Sequence, residues 1–167
     1  MRRVFCLLLS LSLLSLFSLP AGAAAEESVT RGEFAILLWR SAGGFPYDVS
    51  ALPFSDVEKN ADCAQAVCWG YDEGLLRGTG DGLFSPGRPL TREECAAFLR
   101  RYDARLGRDT FFPDAGTCND FQDISPWADD SLYWACSTGR MAWRDRRLAP
   151  YETVTATEAE GYFDTLE

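Results

Sequence analysis

Residues 78–94 read Gly78-Thr79-Gly80-Asp81-Gly82-Leu83-Phe84-Ser85-Pro86-Gly87-Arg88-Pro89-Leu90-Thr91-Arg92-Glu93-Glu94, and the apolar run Cys95 to Leu99 follows. Thr-x-x-Glu ahead of such a run is a capping box: the Thr side chain accepts from the backbone N–H three residues on, and the Glu carboxylate reaches back to the Thr N–H. Gly78, Gly80 and Gly82 suit a tight turn, and Pro86 and Pro89 set up a helix start at Thr91. Upstream, Ala64, Val67, Cys68 and Tyr71 fall at i, i+3, i+4 and i+7, one apolar helical face, and Gly74 ends that helix. The unit is therefore helix, glycine-rich loop, helix.

Outward from this stretch, the unit recurs. Phe54-Ser55-Asp56-Val57 is matched by Phe121-Gln122-Asp123-Ile124; Trp69 and Gly74 by Trp134 and Gly139; Pro86 and Thr91 by Pro150 and Thr155; Thr91 and Glu94 by Thr155 and Glu158. Thr30-Arg31-Gly32-Glu33 repeats the capped start a third time, at the head of Phe34 to Trp39. The pattern predicts an all-α chain in three parts: a half unit over 26–44 that holds the second helix only, a complete unit over 54–102, and a degenerate unit over 121–167. Thr30, Thr91, Thr155 and Glu158 are expected to cap helices, and Asp56 and Asp123 to cap or brace the helix that follows each of them. Trp69 and Trp134, on helix faces, read as core aromatics.

The first 25 residues read as a secretory signal. Arg2 and Arg3 form a basic start, Val4 to Leu19 an apolar stretch, and Pro20 with small residues a processing site after Ala23 or Ala25. The stretch is shorter than the roughly 20 residues that span a bilayer. Beyond the leader lie Cys63, Cys68, Cys95, Cys118 and Cys136. In an oxidising compartment these allow two disulfides with one thiol left over, and the pairing stays open.

Composition narrows the function. The chain has no histidine, which excludes Ser-His-Asp and Cys-His catalysis, a His-ligated metal and an imidazole switch. Cys63 and Cys68 are not at zinc-ligand spacing, so no metal or cofactor is expected. A net charge of −9 argues against nucleic acid. Lys59 is the only lysine among 16 cations, so any anion is met by the planar forks of arginine. Acidic residues are explained as caps and solvated charge, and the sequence reads as non-enzymatic.

Capping does not account for Arg31 and Arg92. Each sits in the first turn of a helix, where the dipole disfavours a cation by a few tenths of a kcal/mol. An Arg fork beside the free N–H groups of a helix start is a carboxylate or phosphate site. An exposed Arg paired with a nearby Asp or Glu is the competing explanation.

Phe-x-Asp-Val, a helix ending in Gly, Gly-x-Gly-Asp-Gly-x-Phe-x-Pro and Leu-Thr-Arg-Glu-Glu together resemble the S-layer homology (SLH) repeat of bacterial cell-surface proteins. The resemblance is strong over Phe54 to Tyr102, degenerate over Phe121 to Leu166, and limited to half a unit over Val29 to Ala42. It implies a pseudo-threefold helical bundle, here of about two and a half repeats, that anchors proteins to the cell wall. Its ligand would be an acidic secondary cell wall polysaccharide, often pyruvylated. Carried over, Arg31 and Arg92 would clamp the carboxylate, Glu33 and Glu94 would hold the helix ends, Gly78 and Gly80 would let the saccharide approach, and Trp127 would stack on a sugar. Two departures stand out: Ala156 replaces the arginine of the third unit, and Trp143-Arg144-Asp145-Arg146-Arg147 replaces its Gly-Asp-Gly loop. They favour, as the alternative, a surface interaction protein that keeps the fold without sugar binding. The incomplete first unit would suit association with another SLH protein or with itself.

Overall fold

The computed structural model describes residues 26–111, 118–128 and 130–164. The proposed signal segment lies outside them. The described residues form five α-helices, α1 (Arg31–Ser41), α2 (Ala64–Asp72), α3 (Arg92–Arg105), α4 (Ser131–Ser137) and α5 (Ala156–Asp164), with a 3₁₀ turn at Phe121–Asp123. Among the described residues there is no sheet, only isolated bridges between extended residues. Of the helices among the described residues, none is long and apolar enough to cross a membrane.

The capping boxes form as the sequence dictates. Thr30 accepts from Glu33 N while Glu33 accepts from Thr30 N, and Thr91 with Glu94 does the same. Thr155 and Glu158 exchange the equivalent pair, at 3.0 and 3.2 Å. At its other end α2 stops at Asp72, and Gly74 takes the left-handed conformation at φ +71° that lets the chain turn away.

The residue before each capping Thr ties the molecule together. Leu90 N donates to Val29 O, Val29 N to Val154 O, and Val154 N to Leu90 O, at 2.9 to 3.0 Å. Three equivalent residues thus close a ring of backbone hydrogen bonds, and all three are buried. Around it α1 packs on α2, α3 on α4, and α5 on α1. Among the described residues nothing packs on α5 as α2 does on α1 and α4 on α3. The core gathers Phe34, Leu38, Val67, Phe84, Phe98, Leu99, Leu132, Met141 and Leu148, with Trp69 and Trp134 buried as the helical spacing predicts.

One alignment made from the sequence is corrected. Asp56 accepts from Phe84 N and Ser85 N at 2.8 and 2.7 Å, so it braces the loop rather than the following helix. The matching bonds, to Leu148 N and Ala149 N at 3.1 and 2.8 Å, come from Asp120 and not from Asp123. The 3₁₀ turn at Phe121–Asp123 begins just after the brace, so Asp123 stands three residues past the bracing position. Ser85 and Ala149 share positive φ, +59° and +52°, a conformation disfavoured for residues with a Cβ and pinned here by the carboxylate. Burial works against ionised Asp120, but the Ala149 and Leu148 N–H groups hold its carboxyl below the usual range.

The altered loop of the third unit keeps its shape. Gly80 pairs with Leu83 and Arg144 with Arg147, each across two central residues with positive φ, Asp81-Gly82 and Asp145-Arg146. This is the turn that favours Asp-Gly, so Arg146 adopts at φ +66° what Gly82 adopts freely.

Candidate functional site

The first-turn arginines do not face solvent. Arg31 and Arg92 are 1% and 0% exposed. Arg31 Nε donates to Phe84 O at 2.7 Å, Nη2 to Arg77 O at 2.7 Å, and Nη1 to Glu94 Oε1 at 2.9 Å. Arg92 Nε donates to Leu148 O at 2.8 Å and Nη2 to Ala142 O at 2.7 Å. Each guanidinium thus stitches a helix start to the two ends of the next unit's loop. The two or three acceptors outweigh the small dipole penalty that made these positions puzzling. Burial, opposed by Glu94, lowers the Arg31 pKa.

Nor do the helix starts offer the free N–H groups expected of them. Arg31 N and Gly32 N donate to Arg88 O and Pro86 O; Arg92 N and Glu93 N donate to Glu152 O and Pro150 O. The third N–H goes to Thr in each box. The open guanidinium fork at a helix terminus, expected for Arg31 and Arg92, is therefore replaced by a clamp between segments. Glu33 is likewise absorbed by its cap: the Thr30 backbone and side-chain bonds hold its carboxyl below the usual range. It lies across the molecule, in a shallow groove with Val29, Ile36, Leu37, Ala156 and Glu160.

The remaining expected residues converge. A cleft of about 480 Å³ is lined by Arg31, Gly78, Gly80, Glu94 and Trp127, together with Arg77, Arg88, Arg101, Glu93 and Tyr151 among others. Arg31 forms its floor. Trp127 and Tyr151, 55% and 64% exposed, come from the 121–164 region and stand beside a wall built by α3 and the 77–88 loop. Gly80, with φ +117° and open space around it, serves the turn. Gly78 is required by packing: a Cβ there would sit 2.4 Å from Leu83 O and 2.6 Å from the Phe54 ring.

Sequence reasoning missed the exposed cations Arg77 and Arg88 and the half-buried Arg101. The signal for one was present, since Glu94, Phe98 and Arg101 fall at i, i+4 and i+7 on one face of α3. Four arginines here meet two carboxylates in a chain of net charge −9. Both carboxylates are engaged. Glu94 is held by Arg31 and Arg88, and Glu93 accepts from Ser125 N and Oγ at 2.9 Å. Arg101, whose Nη1 donates to Leu75 O at 3.1 Å, has its pKa lowered by burial and then by the like charge of the nearby Arg77. An anion between them relieves that repulsion.

The corresponding face of the 121–164 region lacks this chemistry. Ala142, whose carbonyl meets Arg92 as that of Arg77 meets Arg31, stands where Arg77 stands and Glu152 where Arg88 stands, and Arg144 is paired to Glu158 at 2.7 Å.

Residues 53–96 match the S-layer homology domain family. The chain carries an SLH domain. Its relatives include an endoglucanase of Bacillus sp., 30% identical over 107 residues, covering 64% of this chain and 11% of that protein. Cell surface glycoprotein 1 of Acetivibrio thermocellus is 25% identical over 142 residues, covering 80% of this chain and 6% of that protein. The chain thus spans about a tenth or less of these relatives' length. An SLH domain is a cell-surface anchoring module of bacteria, and it is not itself catalytic.

Proposed function

We propose that this SLH protein binds an acidic secondary cell wall polysaccharide, non-covalently, in the cleft between the 77–88 loop, α3 and Trp127. The observation that carries the reading is the cluster of Arg77, Arg88 and Arg101 beside two exposed aromatic side chains. Planar guanidinium groups match a carboxylate, such as that of a pyruvate ketal, in two-point hydrogen bonds. Trp127 and Tyr151 offer flat apolar faces to sugar rings, and the Tyr151 hydroxyl donates to Asp123 O at 2.6 Å. Arg31 acts from beneath, as fixed charge and as the tie that keeps the loop in place.

In this reading residues 1–25 direct secretion, and the half unit and two units form a pseudo-threefold bundle around the Val29–Leu90–Val154 ring. The protein works without catalysis, metal or cofactor. Ala156 fits the same geometry: an arginine there would need loop carbonyls beside α5, and none lies there among the described residues. That face is where a second SLH protein, or a second copy, would add avidity to one weak sugar site.

Co-sedimentation of the full chain with purified cell walls tests the reading, before and after acid extraction of the secondary polymer. Arg77→Ala/Arg101→Ala is expected to weaken binding by about tenfold or more, from loss of charge-assisted contacts worth roughly 1.5–3 kcal/mol each. Folded wild-type protein that stays in the supernatant with unextracted walls would leave the interaction-protein alternative instead.

A further inference from the structure

One corner of the molecule keeps its geometry and changes its chemistry. In the 54–84 region Phe54 stands edge-on to Tyr71 of α2, with ring centroids 5.3 Å apart. Two residues after Phe54, Asp56 braces the loop. In the 118–149 region Asp120 makes the equivalent brace, and two residues before it stands Cys118. Tyr71 follows Trp69 by two residues, and Cys136 follows Trp134 by two on α4. The two positions whose side chains touch in one region are thus both cysteines in the other.

The surroundings of the two cysteines agree. Cys136 Sγ lies 3.8 Å from Ala142 O and 3.5 Å from Arg92 Nη2, and Arg92 also holds Leu148 O, the residue whose N–H Asp120 holds. Both cysteines therefore belong to one small corner. Burial above all pushes the Cys136 thiol up to about 11, and the nearby Cys118 adds to that rise. Both are free thiols in this structure, Cys136 buried and Cys118 partly exposed.

We propose that Cys118 and Cys136 are a disulfide site, which locks the 118–124 segment and its Asp120 brace to α4 when the chain meets a disulfide oxidant. The Cys118 thiolate, the more accessible, attacks the S–S bond of the oxidant, forming a mixed disulfide and releasing one thiolate. The Cys136 thiolate then displaces the second. Two S–H bonds are lost and one S–S bond forms; the oxidant takes the electron pair and leaves as two thiols. Cys63, Cys68 and Cys95, all buried, take no part.

The full chain, equilibrated with oxidised glutathione, alkylated in denaturant and digested with trypsin, tests this. Cleavage after Arg108 and Arg140 releases one peptide, residues 109–140, that holds both cysteines and no others. It is expected to be unalkylated and about 2 Da lighter than its reduced form, the mass of the two hydrogens lost. Alkylation of both cysteines, a glutathione adduct retained on Cys118, or a bond from either to Cys63, Cys68 or Cys95 would each overturn the proposal.

Discussion

The two loop systems share one set of joints and differ in what they present. In both, an Asp braces a strained loop residue, an Arg ties the loop's two ends to a neighbouring helix start, and that start donates to two loop carbonyls. On the 77–88 side the clamp also meets a carboxylate, Glu94, and carries Arg77, Arg88 and Arg101 above it. On the 141–152 side, among the described residues, Arg92 has no carboxylate partner, its Nη1 is unpaired, and Ala142 and Glu152 replace Arg77 and Arg88. Thr-Arg-x-Glu therefore builds the joint, and the ligand-facing chemistry is set by residues outside it.

The largest effect expected from breaking that comparison is at the clamps. Arg31→Ala leaves Glu94 buried without its partner at Arg31, together with two loop carbonyls, and is expected to cost about 3–5 kcal/mol. Arg92→Ala orphans carbonyls only, for about 2–3 kcal/mol. Urea denaturation of both variants measures the difference, and a costlier Arg92 variant would contradict the assigned role of Glu94.

The braces come next. Asp56→Asn and Asp120→Asn are each expected to lose about 2 kcal/mol, whereas Asp123→Asn, at an exposed position, stays within about 0.5 kcal/mol. Acid should act through the same group. Asp120 has a folded-state pKa below its unfolded value, so its contribution is full above the unfolded value and is lost as pH falls through the folded one. Wild type is accordingly expected to lose stability below about pH 4 more steeply than Asp120→Asn.

The smallest effect is in the turns. Arg146→Gly relieves a left-handed arginine and is expected to stabilise by about 1 kcal/mol, while Gly82→Ala costs about as much in the matching place. Equal melting temperatures for the two would mean that the turns are not equivalent.

The capped helices were legible because their chemistry is local: Thr and Glu three residues apart satisfy N–H groups within one turn. Trp127 was legible only through the family resemblance, as a sugar-stacking residue, and it stands 55% exposed at the cleft. The burial of Arg31 and Arg92 was not. Their partners are backbone carbonyls 46 to 56 residues away, and a carbonyl leaves no mark on residue type. Asp123 was mistaken for the brace because Phe-x-Asp-Ile mimics Phe-x-Asp-Val. Counting back from the loop proline finds the answer, since Asp56 precedes Pro86 by as many residues as Asp120 precedes Pro150. Ala156 looked like decay of the motif, and is explained once an arginine at that position is seen to need a loop to hold.

The claim that one loop system alone carries ligand is tested most directly by backbone amide NMR of the full chain, titrated with solubilised acidic wall polysaccharide. The account predicts shifts at Arg77 to Gly80, Arg88, Arg101 and Trp127, with Met141 to Arg144 and Glu152 unmoved. Shifts confined to the 141–152 loop, or spread equally over both, would contradict it.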